Sequence, residues 1–136
     1  MSTNKLSLAD AQRVVDVALS KAQEIGQPMN VAAVDAGGHL MAFARQDGAI
    51  LASIDISIRK AKTAMLLNMS TADLADLAKP GASLYGIEVT NGGMVIFGGG
   101  VLLKGTDGET IGAVGVSGGS VDQDMQVAGA GARSFS

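Results

Sequence analysis

The second half of the chain is built around glycine. Gly92-Gly93-Met94-Val95-Ile96-Phe97-Gly98-Gly99-Gly100-Val101 is followed by Gly112-Ala113-Val114-Gly115-Val116-Ser117-Gly118-Gly119-Ser120. A residue without a Cβ reaches positive φ and lets another backbone come close, at an entropic cost. Nineteen glycines in 136 residues would describe disorder if they were scattered among polar side chains. Here they punctuate short apolar runs, so they read as tight turns and close contacts in a compact sheet. They do not spell a phosphate site. Gly93 to Gly99 lacks the lysine of a Walker loop, and neither Gly98-x-Gly100 nor Gly129-x-Gly131 is completed by a third glycine at dinucleotide spacing.

Periodicity supplies the rest of the order. Ser7 reads as a helix N-cap, followed by Leu8, Ala11, Val14, Val15, Ala18, Leu19, Ala22 and Ile25 at helical spacing, with Gly26 and Pro28 as terminators. Met29–Asp35 and His39–Arg45 read as a hairpin around Asp35-Ala36-Gly37-Gly38. Strict alternation places His39, Met41, Phe43 and Arg45 on one strand face, and Leu40, Ala42 and Ala44 on the other. A helix is predicted from about Ala49 to Asn68, with Asp55 and Arg59 spaced for an i,i+4 pair. Ser70 or Thr71 caps a short helix ending before Lys79-Pro80-Gly81, and residues 82–93 read as a loop. Three strands are expected at Met94–Phe97, Val101–Lys104 and Thr110–Ser117. A closing helix to about Ala132 follows a Ser120/Gln123 capping box, with Asp122 and Asp124 suiting its dipole. The class is α+β: a central antiparallel sheet of about five strands flanked by helices, in one domain over residues 1–136.

Composition removes several chemistries. There is no cysteine, so thiolate catalysis, Fe–S clusters and Cys-type zinc sites are absent, and a single histidine excludes a multi-histidine metal site within one chain. A net charge of −3 and no Trp argue against nucleic acid. No apolar run approaches membrane-spanning length and no signal core follows Met1, so a cytoplasmic location is expected. Only 17% of residues are charged against 47% hydrophobic, which suggests that other subunits cover part of the surface.

The candidate chemistry is therefore narrow. His39 opens a strand after a Gly-Gly turn, where its ring can ligate a haem iron, act as a general base, or simply make a strand hydrogen bond at a subunit contact. Arg59, Lys60 and Lys62 can anchor a carboxylate or haem propionates, or form a solvated helix face. Tyr85 and Glu88 are a polar pair in the loop before Gly92. Met41, Met65 and Met69 read as core filler.

Five segments resemble the GlcG/HbpS-like family, which includes the C-terminal domain of PduO-type proteins. They are Val34-Asp35-Ala36-Gly37-Gly38-His39-Leu40, Arg45-Gln46-Asp47-Gly48-Ala49, Lys60-Ala61-Lys62-Thr63-Ala64, Phe97-Gly98-Gly99-Gly100-Val101 and Ile111 to Gly119. The resemblance runs over about residues 6 to 132. It implies a profilin- or roadblock-like fold, homo-oligomers (dimers, tetramers or octamers), and haem binding in some members. Val95 and Leu102 stand where the family often has prolines. Carried over on the Gly-Gly-His match, His39 is the candidate haem ligand, with Arg59 and Lys62 as cofactor-binding residues. The expected function is that of a small oligomeric haem-binding protein. The alternative is a cofactor-independent enzyme, of isomerase or lyase type, moving a proton on a small oxygenated catabolic metabolite. In that reading His39 or Glu88 moves the proton and Tyr85 hydrogen-bonds an oxygen, while Arg59 or Lys62 holds a carboxylate.

Overall fold

The computed structural model describes residues 5–135. Its elements are α1 (Leu8–Ile25), β1 (Asn30–Asp35), β2 (Leu40–Arg45), α2 (Ala52–Leu67), α3 (Thr71–Ala78), a 3-10 turn at Ile87–Val89, β3 (Gly100–Lys104), β4 (Thr110–Ser117) and α4 (Val121–Phe135). The strands form one antiparallel sheet in the order β2-β1-β4-β3. Helices α1 and α4 pack together on one face, and α2 covers β1, β4 and β3 on the other.

Local chemistry accounts for the helix ends. Ser7 Oγ accepts the Asp10 N–H at 3.0 Å, and Gly26, at φ 73°, donates its own N–H to the last carbonyls of α1. At α4 the capping box closes as expected: Ser120 Oγ accepts from Gln123 N at 3.1 Å, and Gln123 Oε1 accepts from Ser120 N at 2.9 Å. The α1 stripe of Ala11, Val14, Val15, Ala18 and Ala22 is buried against the sheet and α4, with Val31, Ala33, Val114, Val116, Val127 and Phe135. Burial of a valine such as Val14 stabilises the fold by about 1.5–3 kcal/mol. On the opposite face a smaller core joins Val34, Ala61, Ala64 and Ala113 beneath α2. Strand β1 is buried on both sides, which explains its unbroken apolar run.

Gly115, one of the two glycines of β4, has a steric reason. A Cβ on Gly115 would fall 2.0 Å from the Ser57 carbonyl oxygen and 2.6 Å from Ala61 N. Helix α2 thus lies directly on the sheet backbone. Small and polar residues (Ser53, Ser57, Ala61, Thr63 and Ala64) form its buried face. Their hydroxyls find partners; Ser117 Oγ, for instance, donates to Ser53 Oγ at 2.8 Å.

Three expectations are corrected. The sheet has four strands, because Met94–Phe97 pairs with no strand. That segment crosses α2 instead. Val95 N donates to Thr63 Oγ1 at 3.1 Å, and Gly100 N to Thr71 Oγ1 at 2.8 Å where β3 begins. A proline at Val95 would have no N–H for the first of these bonds. The second correction concerns β2. Pairing runs Ala33 with Ala42 and then Val34 with Leu40, so Met41 is an extra residue. This bulge breaks the alternation and turns Met41 toward the α1 side, beside Ala42 and Ala44. The third is at helix ends: α2 begins at Ala52, and α4 continues to Phe135.

Candidate functional site

His39 sits at the end of the β1–β2 turn, immediately before β2. The turn closes through Gly38 N to Asp35 O and Asp35 N to His39 O, both at 2.9 Å, with Gly38 at φ 81°. Asp35 Oδ1 accepts from Gly37 N at 2.9 Å and from His39 N at 3.0 Å, and faces His39 Nδ1 at 3.2 Å. Burial raises the Asp35 pKa. The His39 and Gly37 backbone N–H groups and the nearby imidazole outweigh that effect, so the carboxyl lies below its ordinary value. The imidazole folds back over Gly37, where a Cβ would come within 2.7 Å of Cε1 and 2.8 Å of Nδ1. The side chain is nonetheless 81% exposed.

Two hollows flank this turn. One of about 290 Å³ is lined by Leu6, Asp35, Gly37, Met41 and Ile111. The other, about 440 Å³, lies between Ala36, Met65, Asn68, Lys104 and Thr110. His39 lines neither. A larger cleft of about 530 Å³ sits at the other end of β2, between Arg45–Asp47 and the end of α1.

The three cationic residues of α2 have three different fates. Lys62 is exposed and passes close to the turn; a Cβ on Gly38 would be 3.5 Å from its Cγ. Arg59 is engaged: Nε donates to Asp55 Oδ2 at 2.7 Å, as the i,i+4 spacing predicts, and Nη1 donates to the Gly92 and Gly93 carbonyls. It ties the glycine segment to α2. Lys60 is not on a solvated face and reaches no external carboxylate. It is fully buried, with Nζ 2.9 Å from Val116 O, 2.8 Å from Asp124 Oδ2 and 4.9 Å from the centre of the Phe97 ring. Asp124 Oδ1 accepts the Gly119 N–H at 2.9 Å. Burial pushes the Lys60 ammonium down and the Asp124 carboxyl up, each partly countered by the other.

Tyr85 is 66% exposed on the loop after α3, and Glu88 lies in the 3-10 turn with Oε1 buried and without a hydrogen-bond partner among the described residues. No hydrogen bond or ion pair among the described residues joins Tyr85 or Glu88 to His39. The pair near His39 is instead Asp35, which sequence reading treated only as a turn residue. Its signal was the Asp-x-Gly-x-His spacing, in which an Asp side chain bonds backbone N–H groups two and four residues on. Among the described residues no three His, Asp or Glu side chains cluster as a metal site, and no helix is long and apolar enough to cross a membrane.

A four-stranded antiparallel sheet between α2 and the α1/α4 pair, with one imidazole displayed on a tight turn, defines a small α+β protein with a single candidate nitrogen donor. The chain belongs to the HbpS-like family, described as haem degrading protein HbpS-like, whose model matches residues 6–133. It is 44% identical over 124 residues to the 15.0 kDa protein of the dhaT–dhaS intergenic region of Citrobacter freundii, covering 90% of this chain and 87% of that one. It is 41% identical to the corrinoid adenosyltransferase PduO of Salmonella typhimurium, of which it spans 37% of the length against 90% of its own. The crystal structure of a PduOC:haem complex superposes with a TM-score of 0.90 at 39% identity, covering 95% of this chain and 94% of the other.

Proposed function

We propose that this protein binds haem, with His39 as an axial ligand through Nε2 and Lys62, which passes close to the same turn, as a propionate partner. The observation that carries the reading is the presentation of His39. Nδ1 faces Asp35, the ring is mostly in solvent, and Nε2 has no hydrogen-bond partner among the described residues. Haem, when bound, supplies an iron that takes such a nitrogen as a fifth or sixth ligand. An apolar residue adjoins the turn: Leu40, the next in sequence, is half exposed. Lys62 is available for a propionate, whereas the Arg59 guanidinium is held by Asp55 and the glycine segment. The relative solved with haem supports the same ligand class.

The protein acts as a homo-oligomer in this reading. Strands β2 and β3 are both open edges, and Leu51 and Val89 are 72% and 82% exposed. Light scattering that finds only monomer at working concentrations would remove this part.

Titration with hemin tests the ligand assignment. The wild type gives a saturable Soret shift, and His39→Ala weakens binding and changes the band position. An identical spectrum and affinity in His39→Ala would remove His39 as ligand. No saturable shift in the wild type would remove haem.

A further inference from the structure

We infer that Asp35 is a positioning residue for His39: its Oδ1 holds the imidazole as the Nδ1–H tautomer and turns the Nε2 lone pair outward. Three contacts meet on that one oxygen. Gly37 N and His39 N are donors only, so Oδ1 acts there as an acceptor. The 3.2 Å approach of His39 Nδ1 to the same oxygen is a hydrogen bond only if Nδ1 carries the proton. In a neutral imidazole the other nitrogen is then unprotonated, and it is the one left free for a metal.

A second, independent feature makes room for the ring. The imidazole occupies the space a Cβ on residue 37 would fill, at 2.7 Å from Cε1, so only glycine permits the folded-back pose. Asp35 is in turn anchored in β1, paired on both sides of its strand run by β2 and β4. The carboxylate thus sits on a rigid element while the imidazole sits at its rim.

The tautomer stands on this geometry alone; its consequence for iron rests on the haem reading above. A carboxylate on the remote nitrogen raises ligand basicity and orients the ring. It therefore strengthens binding of oxidised iron and makes the bound couple harder to reduce.

The chain has one histidine, so nitrogen NMR of 15N-histidine-labelled, haem-free protein at about pH 9, where imidazole is neutral, reads the tautomer directly. Wild type and Asp35→Asn, which keeps an acceptor oxygen, show Nδ1–H. Asp35→Ala moves the ring toward the Nε2–H form that free histidine favours. Gly37→Ala, which leaves the carboxylate in place but displaces the ring, does the same by a second route. A wild-type ring in the Nε2–H form, or an unchanged tautomer in both Asp35→Ala and Gly37→Ala, overturns the inference whatever haem does. In the haem-loaded protein Asp35→Asn raises the midpoint potential and weakens hemin binding by about 10- to 100-fold. An unchanged potential and affinity there, with His39 ligation shown by the alanine variant, overturns the iron consequence. If His39→Ala leaves the Soret band untouched, the haem reading fails and takes that consequence with it, while the tautomer result stands on its own spectrum.

Discussion

Lys60 Nζ lies 2.8 Å from Asp124 Oδ2, with both side chains out of solvent. The pair joins α2 to α4 past the C-terminal end of β4; Val116 O also accepts from the ammonium, and Gly119 N donates to the carboxylate. A charge pair withdrawn from water needs this full set of partners, because desolvation otherwise exceeds the mutual attraction. Gly99 belongs to the same arrangement. A Cβ there would come within 2.6 Å of both Lys60 Nζ and the Val116 oxygen.

Removing one partner should be worse than removing both. Asp124→Leu or Lys60→Met alone should destabilise by about 3–5 kcal/mol, since each leaves a buried charged group without its counterpart. The double variant Lys60→Met with Asp124→Leu should lose less than either single variant, because no charge is then left buried without its partner. Urea unfolding of the four proteins measures the cycle. Strict additivity would show that the two groups do not act on each other.

Asp35 should leave a signature in acid. Its folded pKa lies below the ordinary 3.8, so the unfolded chain binds the proton first as pH falls. Its contribution is therefore fully present above that value and is lost as pH drops through the folded pKa. The wild type should be more stable than Asp35→Asn near neutrality, with the gap closing below about pH 4. Denaturant midpoints of both proteins across that range check it. A gap that stays constant would mean that the carboxylate charge contributes nothing.

Gly115→Ala should be among the most damaging single methyl additions in this chain. The added carbon meets backbone atoms of Ser57 and Ala61, which can move only if α2 lifts from the sheet. A loss of about 3 kcal/mol or more, at the upper end of overpacking, is expected. Gly108→Ala is the control. Nothing lies within 4 Å of its Cβ position, but its φ of +81° brings a backbone strain of about 1–2 kcal/mol. Thermal melts rank the two, and a Gly108 variant as unstable as the Gly115 one would refute the steric account.

What the sequence made legible was local. Ser7 with Asp10, Gly26 with Ala22, Ser120 with Gln123, and Asp55 with Arg59 interact within about one helical turn of chain, and their spacing carries the information. What it hid was tertiary. Lys60 and Lys62 look alike in sequence, yet one is sealed in the interior and the other faces water. The counter-charge that decides between them is Asp124, which by itself reads as an acid suiting a helix dipole. The run Met94–Phe97 has strand composition but pairs with no strand, and its Val95 amide turns to α2 instead. The β2 bulge is one residue of slippage, invisible to alternation, and it moves Met41 to the face opposite the one expected. For the site, the histidine was visible by its rarity. Its partner Asp35 was not, because the Asp side chain served turn and ring with a single oxygen.

The Lys60–Asp124 link also bears on how the chain assembles as it is made. The ammonium appears on α2 while its counter-charge is still 64 residues from being synthesised. Until α4 has emerged from the ribosome, docking α2 on the sheet would strand a bare cation in an oily layer. Seating of α2 and closure of α4 are therefore energetically coupled through this one contact, since either docked alone would bury an unmatched charge.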